Sequence, residues 1–428
     1  MTETQLLFDL LEKGVSPAHV VSACEERLVN AGFEALSLQQ TWNLTAGGRY
    51  YMNHYGTTLF AFTVPKNWSN DSSTPAVRIA AAHTDFPCLR IKPACDLKNN
   101  GYAQINIEVY GGPIINTWLD RPLGIAGRVA LRSEEVFKPE VRQFVSEKKI
   151  TIPNLAIHMN REVNKGVEIN KQTELLPIVG LVDAQAEGEY FLSFLCKELG
   201  VEKEDILDYE LTIYDSEKPE FVGLNDEFIS ASRLDNINSC SALVSAIISG
   251  GREDQLNMIA LFDHEEIGSR SKQGAASILL HDLLQRILKS TAPNGDVEAA
   301  LFNSMILSVD VAHGLHPNYA GKMDITSKPI LGNGFCIKEA CSQSYATDCE
   351  VVAIIEQICK TKNIPYQKFV NRSDVVGGGT LGSIASALLP VKTVDIGIPL
   401  LAMHSARELM AACDQQALAD LAIAYFSL

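Results

Sequence analysis

Apolar positions recur at helical spacing from the start of the chain. QLLFDLLEKG (5–14) and PAHVVSACEERLVNAG (17–32) read as amphipathic helices, with Pro17 at a helix start and Gly32 at an end. A continuous apolar run follows, AVRIAAA (76–82), of the kind made by a strand buried on both faces; it runs into His83-Thr84-Asp85. From about 91 to 221 a period of two dominates, in INIEVYGG, IAGRVAL and DYELTIYD, with one helical pattern near AQAEGEYFLSFLCKELG. After about 222 helix and strand patterns alternate. SCSALVSAIISG predicts a helix, NMIALF a strand, AASILLHDLLQRILKS a helix, MILSVDV a strand and CEVVAIIEQICKTKN a helix. QKFV predicts a short strand, LGSIASALL a short helix, TVDIGI a strand and ARELMAACDQQALADLAIAYF a closing helix.

Continuous apolar strands between helices predict an α/β fold with a mixed sheet covered on both faces. The period-two stretch predicts a β-rich insertion over 91–221, splitting one α/β domain into 1–90 and 222–428.

Composition narrows the function classes. The chain has 428 residues, 46% of them hydrophobic, which supports a large core. A formal net charge of −16 argues against nucleic acid or an anionic membrane as the main partner. The opening MTETQLLFDLLEKG carries acids where a secretory signal carries Lys or Arg, and no apolar run reaches membrane-spanning length, so a cytoplasmic protein is expected. The ten cysteines form no C-x-x-C pair and lie in apolar segments, which reads as reduced core thiols.

Strand ends carry the chemistry. In parallel α/β sheets ligands sit beyond the carboxyl ends of strands. AVRIAAA delivers His83 and Asp85, NMIALF delivers Asp263, His264, Glu265 and Glu266, and MILSV delivers Asp310, then His313 and His316. TVDIGIP leads to Met403 and His404, and Asp235 in SRLDN stands where a loop enters a helix. Each residue alone has a plain structural reading: a satisfied polar group, a helix cap, a solvated corner. Together they place much negative charge at one sheet edge, which is costly unless cations are present. Histidine and carboxylate without sulfur suit zinc, manganese or cobalt in a hydrolytic site. The acids exceed what one tetrahedral ion uses, so two ions about 3.5–4 Å apart are expected. Of the adjacent Glu265 and Glu266, one can ligate while the other acts as a base. Asp85 is placed to hydrogen-bond the second nitrogen of His83.

Several of these stretches carry a resemblance. GGRYY, AAHTDFPCLRIKP, IEVYGG, IPNLAIHMNR, GLNDEFISASRLDN, DHEEIGS, SVDVAHGLHPNYA, RSDVVGGGTLG and TVDIGIPLLAMHSARE, running from about 48 to 408, resemble the M18 aminopeptidases, the aspartyl aminopeptidase family. The resemblance implies a zinc exopeptidase fold and a dinuclear aminopeptidase releasing N-terminal residues from peptides, with acidic Asp or Glu residues preferred. It implies that His83 and Asp310 bind one metal, Glu266 and His404 the second, and that Asp235 bridges them. Glu265 would be the general base and acid, with a metal-bridged hydroxide as nucleophile, and Asp85 would orient His83. His158 in the insertion would reach a neighbouring subunit's active site; the bland reading of His158 is a packing residue in a β-rich core. The insertion would dimerise, with dimers building a tetrahedral dodecamer. Lys338, Tyr345, His316 and Met403 would contact substrate, Lys338 suiting an acidic side chain; the bland readings of Lys338 and Tyr345 are a surface lysine and a core tyrosine. GKMDITSKP after HPNYA and GFCIKEACSQ around Lys338 depart from the family's usual pattern, which bears on substrate preference.

Two other classes compete. GGGTLG (377–382) fits G-x-G-x-x-G, with Asp395 further on, a weak hint of a dinucleotide-binding dehydrogenase; a glycine-rich loop beside the substrate is the simpler reading. A non-catalytic scaffold that kept the metal-binding shell is disfavoured by the intact Glu265-Glu266 pair, and a serine hydrolase by the lack of G-x-S-x-G.

Overall fold

A computed structural model describes residues 1–66, 76–166, 168–182, 189–291 and 294–428. The chain groups into two compact units: Met1–Phe86 with Pro219–Met403 and Glu408–Leu428, and Pro87–Lys218 with His404–Arg407.

The first unit is built on a nine-stranded mixed sheet. Its centre is four parallel strands, in the order Leu256–Phe262, Val77–His83, Met305–His313 and Lys392–Leu400. These are the continuous apolar runs of the sequence, and they are buried along almost their whole length. Antiparallel strands flank this centre: Thr58–Thr63 on one side and Phe335–Glu339 on the other. Helices cover both faces. Alternate residues Val77, Ile79 and Ala81, with Met258, Ala260 and Phe262, pack against Leu280, Leu283, Leu284, Ile287 and Leu288 of the helix Leu279–Thr291. The helices Leu234–Ser249 and Ala412–Ser427 pack against each other and the sheet, where the Tyr425 hydroxyl donates to the Met305 carbonyl at 2.7 Å. Four parallel strands therefore end together, and their carboxyl ends carry His83, Asp263 to Glu266, Asp310 and the 401–403 segment.

The second unit holds a six-stranded antiparallel sheet, in the order Glu140–Val145, Leu123–Leu131, Ile206–Asp215, Cys88–Asn99, Tyr102–Tyr110 and Ile178–Leu181. The helix expected near 184–200 is Tyr190–Leu199, closed by Gly200 in the left-handed region; residues 183–188 lie outside the described ones.

Two expectations fail locally. ARELMAA does not open the last helix: Glu408–Ala411 forms a strand against Phe228–Ala231, and the helix starts at Ala412. Of the ten free cysteines, Cys341, Cys349 and Cys413 are exposed, so not all are core thiols.

Candidate metal centre

His83 ends the strand Val77–His83 and is 1% exposed. Its Nδ1 lies 3.0 Å from the Asp85 backbone carbonyl, an acceptor only, so Nδ1 carries the proton and Nε2 is left with its lone pair. Nε2 lies 3.4 Å from Asp235 Oδ1 and 3.5 Å from Asp310 Oδ1. His83, Asp235 and Asp310 each offer a ligand atom within 4.8 Å of the others, and so do His83, Glu265 and Glu266.

The local backbone explains this convergence. Asp235 stands ahead of the regular part of its helix: Arg233 is left-handed at φ 63°, Asp235 and Asn236 are non-helical, and their peptide bond is cis. The Asp235 amide donates to Glu408 Oε2 at 3.0 Å, and Asn236 Nδ2 donates to the Val309 carbonyl at 2.9 Å. Glu408, itself 2% exposed, was not singled out by the sequence reading, although its Ala-Arg-Glu stretch was among the matching motifs. Glu265 and Glu266 lie in a short 3-10 turn after the strand Leu256–Phe262, entered through His264 at φ 66°.

Asp85 departs from expectation. The His83 imidazole is held chiefly by the Asp85 carbonyl, with the carboxylate at 3.5 Å. The carboxylate instead accepts the Glu265 amide at 3.0 Å and the Glu266 amide at 3.1 Å. One fully buried acid thus ties the His83 strand end to the glutamate turn.

The electrostatics are those of uncompensated negative charge. Burial drives the Glu265 carboxyl up to about 8, with Asp310, Asp85 and Asp235 adding to it against His83. Burial opposes charge on His83, but hydrogen bonds to Asp235, Asp310 and Asp85 outweigh it and hold the imidazole well above the usual histidine range. Burial would likewise raise Asp310; Lys338 and His83 overcome it and hold that carboxyl low. Glu265 and His83 both favour their protonated forms in a pocket built from N and O donors. A divalent cation fits this donor set and would replace the proton.

The remaining predicted residues are placed as follows. Lys338 is not a surface lysine: it is 2% exposed, donates to the Val311 carbonyl at 2.8 Å and lies 3.5 Å from Asp310 Oδ2. Its Nζ sits 4.8 Å from the centre of the buried Tyr345 ring. His316 and Met403 line one cavity of about 380 Å³, together with His313, Phe369 and Gly377. His404, at φ 66°, has Nδ1 3.1 Å from the Gly112 carbonyl, within the second unit. His158, also in the second unit, is exposed, so the packing reading fails; Leu155, Ile157 and Met159 beside it are exposed too.

GGGTLG is not placed as a dinucleotide loop. Thr380 precedes the eight-residue helix Leu381–Leu388, and its hydroxyl donates to Asp395 Oδ1 at 2.6 Å. A Cβ on Gly382 would lie 2.6 Å from Asp395 Oδ1, so that glycine serves close packing.

The sequence model of the family described as aminopeptidase I zinc metalloprotease (M18) matches residues 10–426. The chain is 42% identical over 414 residues to a probable M18 family aminopeptidase 2 of Clostridium acetobutylicum, covering 95% of this chain and 94% of that one. It is 40% identical over 428 residues to a protein of the same description in Ectopseudomonas mendocina, covering 99% and 97%. The structure resembles the mApe1 dodecamer of S. cerevisiae with a TM-score of 0.86 at 26% identity, covering 99% and 96%. The matching stretches that converge on His83, and the family match across nearly the whole length, make this chain a member of the M18 family of metallo-aminopeptidases.

Proposed function

We propose that the chain is a dinuclear metal aminopeptidase that removes N-terminal residues, preferentially Asp or Glu, from peptides. The observation that carries this reading is the His83 imidazole, with Nδ1 held by the Asp85 carbonyl and Nε2 facing Asp235 and Asp310 at 3.4 and 3.5 Å. His83 and Asp310 would hold one ion and Glu266 and His404 the other, with Asp235 between them. The ions are zinc in this reading, with cobalt or manganese as alternatives; when bound they would acidify a shared water and polarise the scissile carbonyl.

Glu265 takes the proton of the attacking water and passes it to the leaving amine. Its half-buried carboxyl, already proton-seeking, supports that role. Asp85 fixes the backbone from which Glu265 projects. The cavity with His316 and Met403 would receive the N-terminal side chain; Lys322 and Arg372 on its wall support an acidic one, although Arg372 also pairs with Asp374. The second unit would be the dimerisation module of a tetrahedral dodecamer, with His158 reaching a neighbouring copy. The mApe1 dodecamer and the exposed apolar residues flanking His158 support this. A cytoplasmic location is consistent with ten free cysteines.

The test is metal-free protein reconstituted with zinc, cobalt or manganese and assayed on a panel of fluorogenic aminoacyl substrates. Two equivalents of metal and fastest release of Asp or Glu are expected. Activity in chelator would overturn the metal reading, and fastest release of neutral residues the acidic preference.

A further inference from the structure

Lys338 lies on the strand Phe335–Glu339, opposite Asp395 of the antiparallel strand Lys392–Leu400. That strand pairs in turn with Met305–His313, where Gly397 faces Asp310. A Cβ on Gly397 would come within 2.2 Å of the Asp310 carbonyl oxygen, so only glycine allows this approach. Across the three strands Lys338 reaches Asp310 from the side opposite to His83: Nζ is 3.5 Å from Oδ2, while His83 faces Oδ1. The Val311 amide donates to Oδ1 at 2.7 Å and the Val311 carbonyl accepts from Nζ at 2.8 Å. A lysine this deeply buried is rare unless it is paired.

We propose that Lys338 is a positioning residue for Asp310 and not a receptor for the substrate side chain. It holds the carboxylate turned toward His83 and supplies a fixed positive charge to the metal centre. Asp85, Asp235, Asp310, Glu265 and Glu266 carry five negative charges when ionised. Two divalent ions supply four positive ones, and Lys338 supplies the fifth. The charge balance rests on the dinuclear reading; the pairing with Asp310 does not.

The test has a metal-free arm and a loaded arm. In excess chelator, the melting temperatures of wild type, Lys338→Met, Asp310→Asn and the double variant form a cycle. Lys338→Met is expected to melt lower by roughly 5 °C, since it leaves a buried carboxylate without its partner. The double variant, with both charges gone, is expected to recover at least half of that loss. A double variant that melts no higher than Lys338→Met would overturn the pairing. Should Lys338→Met fail to fold, folding of the double variant supports the pairing and its failure to fold counts against it. In the zinc-loaded protein, Lys338→Met should lower kcat by a common factor on substrates beginning with Asp, Glu and Leu, with KM little changed, and Lys338→Arg should restore part of it. A loss confined to Asp and Glu substrates, with raised KM, would show that the cation faces the substrate and overturn the proposal. If wild type takes up no zinc, the dinuclear reading fails while the chelator cycle still decides the pairing.

Discussion

The Glu265 amide donates to Asp85 Oδ1 at 3.0 Å, and the neighbouring amide of Glu266 takes Oδ2. Asp85 thereby sets where the glutamate turn begins, relative to the strand end that carries His83. An asparagine at this position keeps one acceptor oxygen and sets an NH2 group against the other amide, where donor meets donor. Asp85→Asn should therefore displace the turn and lower kcat by about 10–100-fold while zinc content holds. Kinetics beside elemental analysis checks this; near-wild-type turnover would show that the two amides do not need the carboxylate.

Glu265 and Glu266 are adjacent, yet different losses are expected from them. Glu265→Gln keeps size and shape but removes the proton acceptor, so metal content should stay and kcat should fall by about 10²–10⁴-fold. Retained turnover would remove Glu265 as the base. Glu266→Gln should instead reduce bound metal to about one equivalent, read by the same elemental analysis.

The four parallel strands were legible because a strand buried on both faces leaves an unbroken apolar run, as in AVRIAAA and NMIALF. The residues at their ends were legible because acids after such runs have few structural uses. What escaped was direction and depth. The helical spacing of ARELMAA concealed the strand Glu408–Ala411, because four residues paired on one side need no alternation of their own. Lys338 follows Phe335, Cys336 and Ile337, and that apolar run was the available sign of its burial. The apolar Leu155, Ile157 and Met159 suggested packing around His158, yet they are 54%, 52% and 70% exposed. The role of Asp85 escaped because its partners are backbone amides, which leave no mark in the sequence.

His404→Ala tests the second ion. Truncation should leave the strand Lys392–Leu400 intact, since the histidine lies beyond its end. Metal content is expected to fall by about one equivalent per chain, with activity falling alongside. Two retained equivalents would remove His404 from the ligand set.

His19 supplies a pH dependence apart from the metal centre. It lies in the first turn of the helix Pro17–Asn30, with Nδ1 2.8 Å from the Ser16 hydroxyl. Burial lowers its pKa from 6.5 to about 4. Between these values the unfolded chain binds a proton that the folded chain refuses, so stability is full above pH 6.5 and is lost as pH falls toward 4. The loss is on the order of 2 kcal/mol, softened by the ring's partial exposure. A charged imidazole would also oppose the positive end of the helix dipole, which acts in the same direction. His19→Gln has nothing to titrate. Melted in chelator, so that loss of metal does not intrude, the variant should lose less stability than wild type between pH 7 and pH 4.5. Equal losses would mean that His19 takes up its proton in the folded chain as readily as in the unfolded one.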